Sequence, residues 1–166
     1  MNQDQQALQK LSETLRRRLT TQGFACEVEL VGQIAPWLRW TPALGAIWIA
    51  AGTTARSPAI LWSFSLCAAA GAMGWHPFDA LFNHGVRHLL DLPQLPANPV
   101  PRRFAMALAA IFSAATGLLF YWHLDTAGLA AGALMALGAI TVATTQFCAG
   151  SWIWHQLGLG RGSRAG

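Results

Sequence analysis

The chain has 166 residues, of which 54% are hydrophobic and only 11% charged, and its formal net charge is +4 at neutral pH. Soluble domains carry about a quarter charged residues, so the composition argues against an ordinary soluble all-α domain. The deficit is also uneven: between Arg103 and Arg161 the sole acid or base other than histidine is Asp125.

Residues 3–22 read as an amphipathic helix, because Leu8, Leu11, Leu15 and Leu19 recur at steps of three and four and share one face. Lys10, Arg16, Arg17 and Arg18 surround that face. Such a helix either lies in the head-group layer, apolar side down, or packs on the protein's own underside. No apolar stretch follows the polar start at Asn2 to Gln6, so no cleavable signal peptide is expected.

Four apolar segments come next, at about 36–55, 58–75, 104–122 and 126–148. They predict an all-α, polytopic membrane protein. In this layout 1–33 is an N-terminal cytoplasmic amphipathic arm, 34–157 a four-helix membrane domain, and 158–166 a flexible basic tail. The first segment is short against the roughly 20 residues that a span requires, and reaches that length only if it begins near Ile34 and Arg39 snorkels. Trp37 and Trp40 flank that arginine as interfacial anchors. The second segment opens with Pro58, tolerated in a first turn where no intrahelical partner is lost. The third closes on Phe120, Tyr121 and Trp122, and the fourth is followed by Trp152 and Trp154. The expected membrane-interface set is therefore Arg39, Arg102, Arg103, Trp122, Trp152 and Trp154.

Between spans two and three the sequence predicts a surface helix over 77–91 and a proline-rich strap over 92–101. Pro77 suits a helix start and Asp79 complements the helix dipole. Phe78, Leu81, Phe82, Val86, Leu89 and Leu90 make an apolar stripe, and Pro93, Pro96, Pro99 and Pro101 forbid continuation. Arg102 and Arg103 either hold the third span at the phosphate layer or pair with Asp79 or Asp91 and pin the surface helix to the bundle.

Basic residues fix the orientation. The N-terminal arm and the middle connection hold Lys10, Arg16, Arg17, Arg18, Arg39, Arg87, Arg102 and Arg103, and the tail adds Arg161 and Arg164, while Arg56 alone stands in the other two connections. Cytoplasmic loops carry the basic excess, so both termini and the middle connection are predicted inside. Arginines that flank apolar segments suit anionic lipid head groups rather than nucleic acid.

Inside lipid, helices associate through small residues. Gly128, Gly132 and Ala136 on the fourth span, facing Ala105, Ala109 and Ser113 on the third, predict a packed hairpin. The same glycine face could serve a membrane partner or a second copy. Thr141, Thr144, Thr145 and Gln146 are expected to form interhelical hydrogen bonds.

His84 and His88 stand four apart, on one face of the surface helix, as two ligands of one metal need. The topology carries Cys148 and His155 to the same side. Imidazole and thiolate together suit zinc or copper, which makes these four residues a candidate metal site. The alternative is that each is an ordinary packed or hydrogen-bonded side chain.

Pro101-Arg102-Arg103-Phe104-Ala105 opens the third span and Phe147-Cys148-Ala149-Gly150-Ser151 closes the fourth. Together they resemble an uncharacterised bacterial membrane family, a domain of unknown function with a Pro-x-Arg-Phe-Ala opening and a Phe-Cys-x-Gly-Cys close. The resemblance covers roughly residues 40–157 and implies a four-helix membrane protein of bacterial origin, with no activity to carry over; the expected location is the inner membrane. The family's second cysteine is Ser151 here, so a dithiol within this motif is not available.

No phosphate-binding loop, Gly-x-Ser-x-Gly elbow, His-Glu-x-x-His motif or paired carboxylates is present. No ionised residue stands at mid-depth in a span, where transport paths usually have one. Two readings follow from the residues: an accessory or structural membrane subunit, or a cytoplasmic-side thiol or transition-metal site.

Overall fold

The computed structural model describes residues 13–24 and 35–159. The leucines at 8 and 11, Cys26 and the basic tail from 160 onward lie outside the described residues. The chain is helical. Residues 13–21 form α1, a single 3-10 turn covers Trp37–Arg39, and α2 (Trp40–Thr54), α3 (Pro58–Ala72), α4 (Pro77–Leu90), α5 (Val100–Tyr121), α6 (Asp125–Thr145) and α7 (Ala149–Gln156) follow.

Local chemistry sets the boundaries. Ser57 caps α3, its hydroxyl accepting from Ile60 N, with Pro58 in the first turn. The helix then stops at Ala72, because Gly74 turns with φ +102° and the residue before Pro77 is pushed to extended backbone. The helix after the strap starts at Val100, so the strap is a little shorter than the sequence predicts. It takes in Pro101, whose missing N–H costs nothing in a first turn. Gln146 ends α6 in the left-handed region, with φ 57°. The Cys148–Trp154 stretch then begins α7, a short helix that the aromatic anchors alone did not announce.

Four helices form the bundle. α3 runs antiparallel to α5, with Ser113 Oγ donating to Leu61 O and Ser65 Oγ to Ala110 O, both at 2.7 Å. α2 runs antiparallel to α6, where Gly132 meets the Thr53 side chain so closely that a Cβ has no room. Ile49, Phe64, Ala68 and Ala110 fill the centre. The hairpin expected between spans three and four is present, but each of its helices packs mainly elsewhere: α5 on α3, α6 on α2. Ala105 accordingly meets Gly150 of α7, and Ser113 reaches α3.

α5 and α6, with 22 and 21 residues, are long and apolar enough to cross a membrane. α2 and α3 have 15 residues each, about 22 Å at the helical rise, against a hydrocarbon core of about 30 Å. α3 and α4 together pass the same test as a pair bent by 77°. Two or three helices are thus span-competent by length and composition, where the sequence predicted about four. The shortfall comes from the 3-10 turn at Trp37–Arg39 and the glycine turn after α3, which trim one span each.

The two hairpin turns sit side by side at one end, where Arg56 Nη1 reaches Asp125 Oδ2 at 2.7 Å. Everything else gathers at the other end. α1 docks there through Arg18 Nη1 to Thr145 O and Gln22 Nε2 to Gln146 O, each 2.6 Å. Leu15 and Leu19 pack with Phe24, Ala35 and Leu38. The described part of this helix thus packs on the end of the bundle.

Candidate buried polar junction

At that second end the chain buries polar and charged groups that the sequence placed at a surface. Arg102, expected as an interface anchor, is 5% exposed and points inward. Its guanidinium lies over the Phe24 ring, 5.3 Å from the centroid. It feels Asp79 and Cys148 electrostatically, but among the described residues no carboxylate is within 4.0 Å of it. The second sequence reading, in which Arg102 ties the surface helix to the bundle through Asp79, is the nearer one. The tie is an electrostatic neighbourhood, not a contact ion pair. The physical reason is register: Arg102 falls on the inner face of α5 and Arg103 on the outer. Arg103 remains exposed and donates through Nε to Ala72 O at 2.8 Å, at the C-terminal end of α3.

Asp79, in the first turn of α4, is held from two other segments. Thr41 Oγ1 donates to Oδ1, and Asn98 Nδ2 donates to Oδ2 at 3.0 Å. The carboxylate thus joins α2, α4 and the strap. His76 caps α4: its Nδ1 accepts from Phe78 N at 3.2 Å, and its ring stacks against Phe78 at 5.1 Å. Burial pushes the His76 pKa below its ordinary 6.5; Asp79 opposes that shift and Arg102 adds to it. Nearby, Asn83 clamps the strap with both ends of its amide, donating to Leu95 O at 3.2 Å and accepting from Leu95 N at 2.8 Å. Gln146 donates to Ala35 O, and Ser151 Oγ to Pro101 O at 3.2 Å. The junction therefore draws on Phe24 beyond α1 and on α2, α4, the strap, α5, the end of α6 and α7.

The four candidate metal ligands are not gathered. Among the described residues no three His, Cys, Asp or Glu side chains come together as a metal set. His84 and His88 are exposed on α4, within or just after a π turn over Phe82–Val86 that breaks the regular four-residue register. His155 sits against Thr21 O of α1 at 2.9 Å. Cys148 is half-buried with a free thiol beside Arg102.

Other expected residues have plainer surroundings. Trp122 and Trp152 are exposed, and Trp154 stacks on Phe104 at 5.3 Å. Arg39 is exposed at the start of α2. Gly128 and Gly132 are buried within the chain, against Phe120 and Thr53, so this pair is already occupied. The hydroxyls of Thr141, Thr144 and Thr145 turn back to carbonyls of their own helix; Gln146 alone of that group reaches another segment. Thr41, Asn98 and Phe24 were not singled out from the sequence, and His76 only as the start of the middle connection. One signal was available for His76, a potential acceptor directly before the helix-starting Pro77.

The outward faces tell the complementary story. Ile47, Leu66, Ile111, Phe112, Leu134, Leu137 and Ile140 are all exposed, and just 11% of the most apolar window of α6 is buried within the chain. Helices apolar outside, with polar groups drawn into one end, define the class of small helical proteins with membrane-compatible spans. Residues 34–158 match the family described as "Domain of unknown function (DUF4395)", and the chain belongs to that family. No curated protein and no solved structure matches the chain.

Proposed function

We propose that the chain is a bilayer-embedded four-helix module acting as an accessory or structural membrane subunit, in a bacterial inner membrane, with both termini and the middle connection cytoplasmic. The observation that carries this reading is α6, a 21-residue apolar helix left almost bare by its own chain. Leu134 is 73% exposed on it and Leu137 61%. At about 25 cal/mol per Å² such a face is unfavourable in water and costs nothing in lipid. The short helices α2 and α3 complete the four spans by local thinning of the bilayer and by snorkelling of Arg39, at fractions of a kcal/mol per Å of mismatch, so roughly a few kcal/mol together. The arginine-rich end supports the cytoplasmic assignment of the termini.

Membrane fractionation tests the reading. The protein should stay in the pellet after an alkaline carbonate wash and enter solution with detergent, and tags on its two ends should report the same compartment. Release by carbonate, or opposite compartments for the two tags, overturns it. A Cys148→Ala variant separates the subunit from a thiol or metal protein: assembly and phenotype persist in the first and are lost in the second.

A further inference from the structure

We propose that α4 is a membrane-interface helix, its outer side set into the head-group layer of the same bilayer with anionic phospholipid heads meeting Arg39 and Arg103. The inference rests on the bundle being bilayer-embedded and adds a lipid contact to it. If α3 stands along the membrane normal, the 77° bend lays α4 close to the membrane plane. α4 is apolar on two sides. Inward, Phe82 is fully buried against Trp37 and Trp40, with ring centroids 5.3 and 6.3 Å away, and Phe78 packs on Trp48 at 5.6 Å. Outward, Leu81 and Leu90 are exposed and Leu89 is 85% exposed, and the turn leading in adds Met73 and Trp75.

Two observations say what covers that outer side. The first is continuity along the chain: Leu66 and Met73, seven residues apart and so on one face of α3 and its exit, and then Trp75 are exposed apolar side chains leading from the bundle to α4. The second is charge. Arg39 is exposed one residue from the Trp40 that holds Phe82, and the Arg103 guanidinium lies beside Gly74, between Met73 and Trp75 in sequence. Asp79 is turned inward to Thr41 and Asn98, leaving Asp91 exposed at the far end of the helix. Exposed apolar side chains on the same end as two exposed arginines that have no carboxylate within 4.0 Å among the described residues match the boundary between acyl chains and anionic heads. The Asn83 clamp fixes α4 to the strap, so the helix is held at one depth.

The test is site-directed spin labelling of the full chain in lipid nanodiscs, with the native cysteines replaced by alanine and labels placed at Leu89→Cys, Gln94→Cys and Ile140→Cys in turn. Relative accessibility to oxygen over an aqueous nickel complex should rank Ile140 highest, Leu89 next and Gln94 lowest. Replacing zwitterionic lipid in part with phosphatidylglycerol should deepen Leu89, and Arg39→Gln with Arg103→Gln should abolish that response. A Leu89 label as water-accessible as Gln94, or one indifferent to anionic lipid, overturns the inference. If Ile140 still reports lipid in that case, the embedded module stands without it. The cysteine-containing protein gives a second reading: lipid brominated high on the acyl chain should quench a share of its tryptophan emission that disappears in Trp75→Phe, and no such share counts against the proposal.

Discussion

The two ends of the bundle are held together by opposite means. At the hairpin-turn end one exposed ion pair, Arg56–Asp125, links two three-residue connections. At the other end Arg102, His76, Asn98 and Gln146 are buried and Asp79 half-buried; Asn98 donates to Asp79 and Gln146 to Ala35 O, while the Asn98 and Gln146 amide oxygens are buried without a hydrogen-bond partner among the described residues. The difference teaches where such a protein puts its specificity. Helices in lipid gain little from burying apolar surface, so polar contacts must fix them: Trp48, Trp62, Ser65 and Ser113 bond between helices along the bundle, and among the described residues the buried charged groups are all at one end. Substitutions at the two ends should therefore differ in effect by several-fold.

The largest effect is expected from Arg102→Ala. It removes the cation over Phe24 and leaves Asp79 in a partly buried site without its nearby positive charge. Breaking a buried charge arrangement from one side costs about 3 kcal/mol or more, read as a fall in the unfolding midpoint in mild detergent. Proteolysis should also show α1 cut more readily, because one of the contacts that dock it, Arg102 over Phe24, is removed. A midpoint close to that of the parent would mean that the junction is decorative.

Gly132→Leu comes next and probes the middle of the bundle instead. A side chain there collides with Thr53, so α6 must move off α2. Overpacking of this kind costs roughly 1–3 kcal/mol. A doubly labelled protein should show a longer α2–α6 distance by electron spin resonance, with the junction end unchanged. An unchanged distance would show that the two helices are not in close contact.

How much of this was legible in advance follows the same division. The apolar spans and the arginine bias are properties of contiguous residues, and they marked the helices and the shared end from sequence, while the motifs at Pro101–Ala105 and Phe147–Ser151 marked the family. The boundaries slipped where one residue decided them: Gly74 with its positive φ, and Pro101, which starts a helix although it reads as part of a strap. The junction was not legible, because its contacts are distant in sequence, Asn98 meeting Asp79 across 19 residues and Gln146 meeting Ala35 across 111, and none carries a periodic signature. Adjacent arginines also read alike, yet Arg102 turns in and Arg103 out, a distinction that depends on the phase of α5. The His84 and His88 spacing assumes a regular helix over that stretch. A π turn changed the register on which the four-residue spacing relied.

A smaller effect is pH dependence at the junction. Burial lowers the His76 pKa, so the unfolded chain binds the proton more readily than the folded one. By linkage, the stability from this group is complete above pH 6.5 and is lost as the pH falls below that value toward the depressed folded pKa. Protonation would also remove the Nδ1 acceptor from Phe78 N. The groups facing His76 are Asp79, which opposes the loss, and Arg102, which deepens it. Midpoints measured across that window should slope upward with pH, and His76→Asn, which retains a capping acceptor, should flatten the slope. An equal slope in both proteins would assign the dependence to another group.

The smallest effect belongs to the hairpin-turn end. Both partners of the Arg56–Asp125 pair are about half exposed, and pairs of that kind contribute between about 0 and 1 kcal/mol. A double-mutant cycle with Arg56→Gln and Asp125→Asn should return a coupling within that range, shrinking further as salt is raised, because exposed charges are screened over roughly 10 Å. The measurement also reports the depth of this end. Should the coupling exceed the Arg102→Ala effect and ignore salt, the turns would have to lie below the head groups in a low-dielectric layer. The contrast between the two ends would then vanish, since both would be held by buried charge.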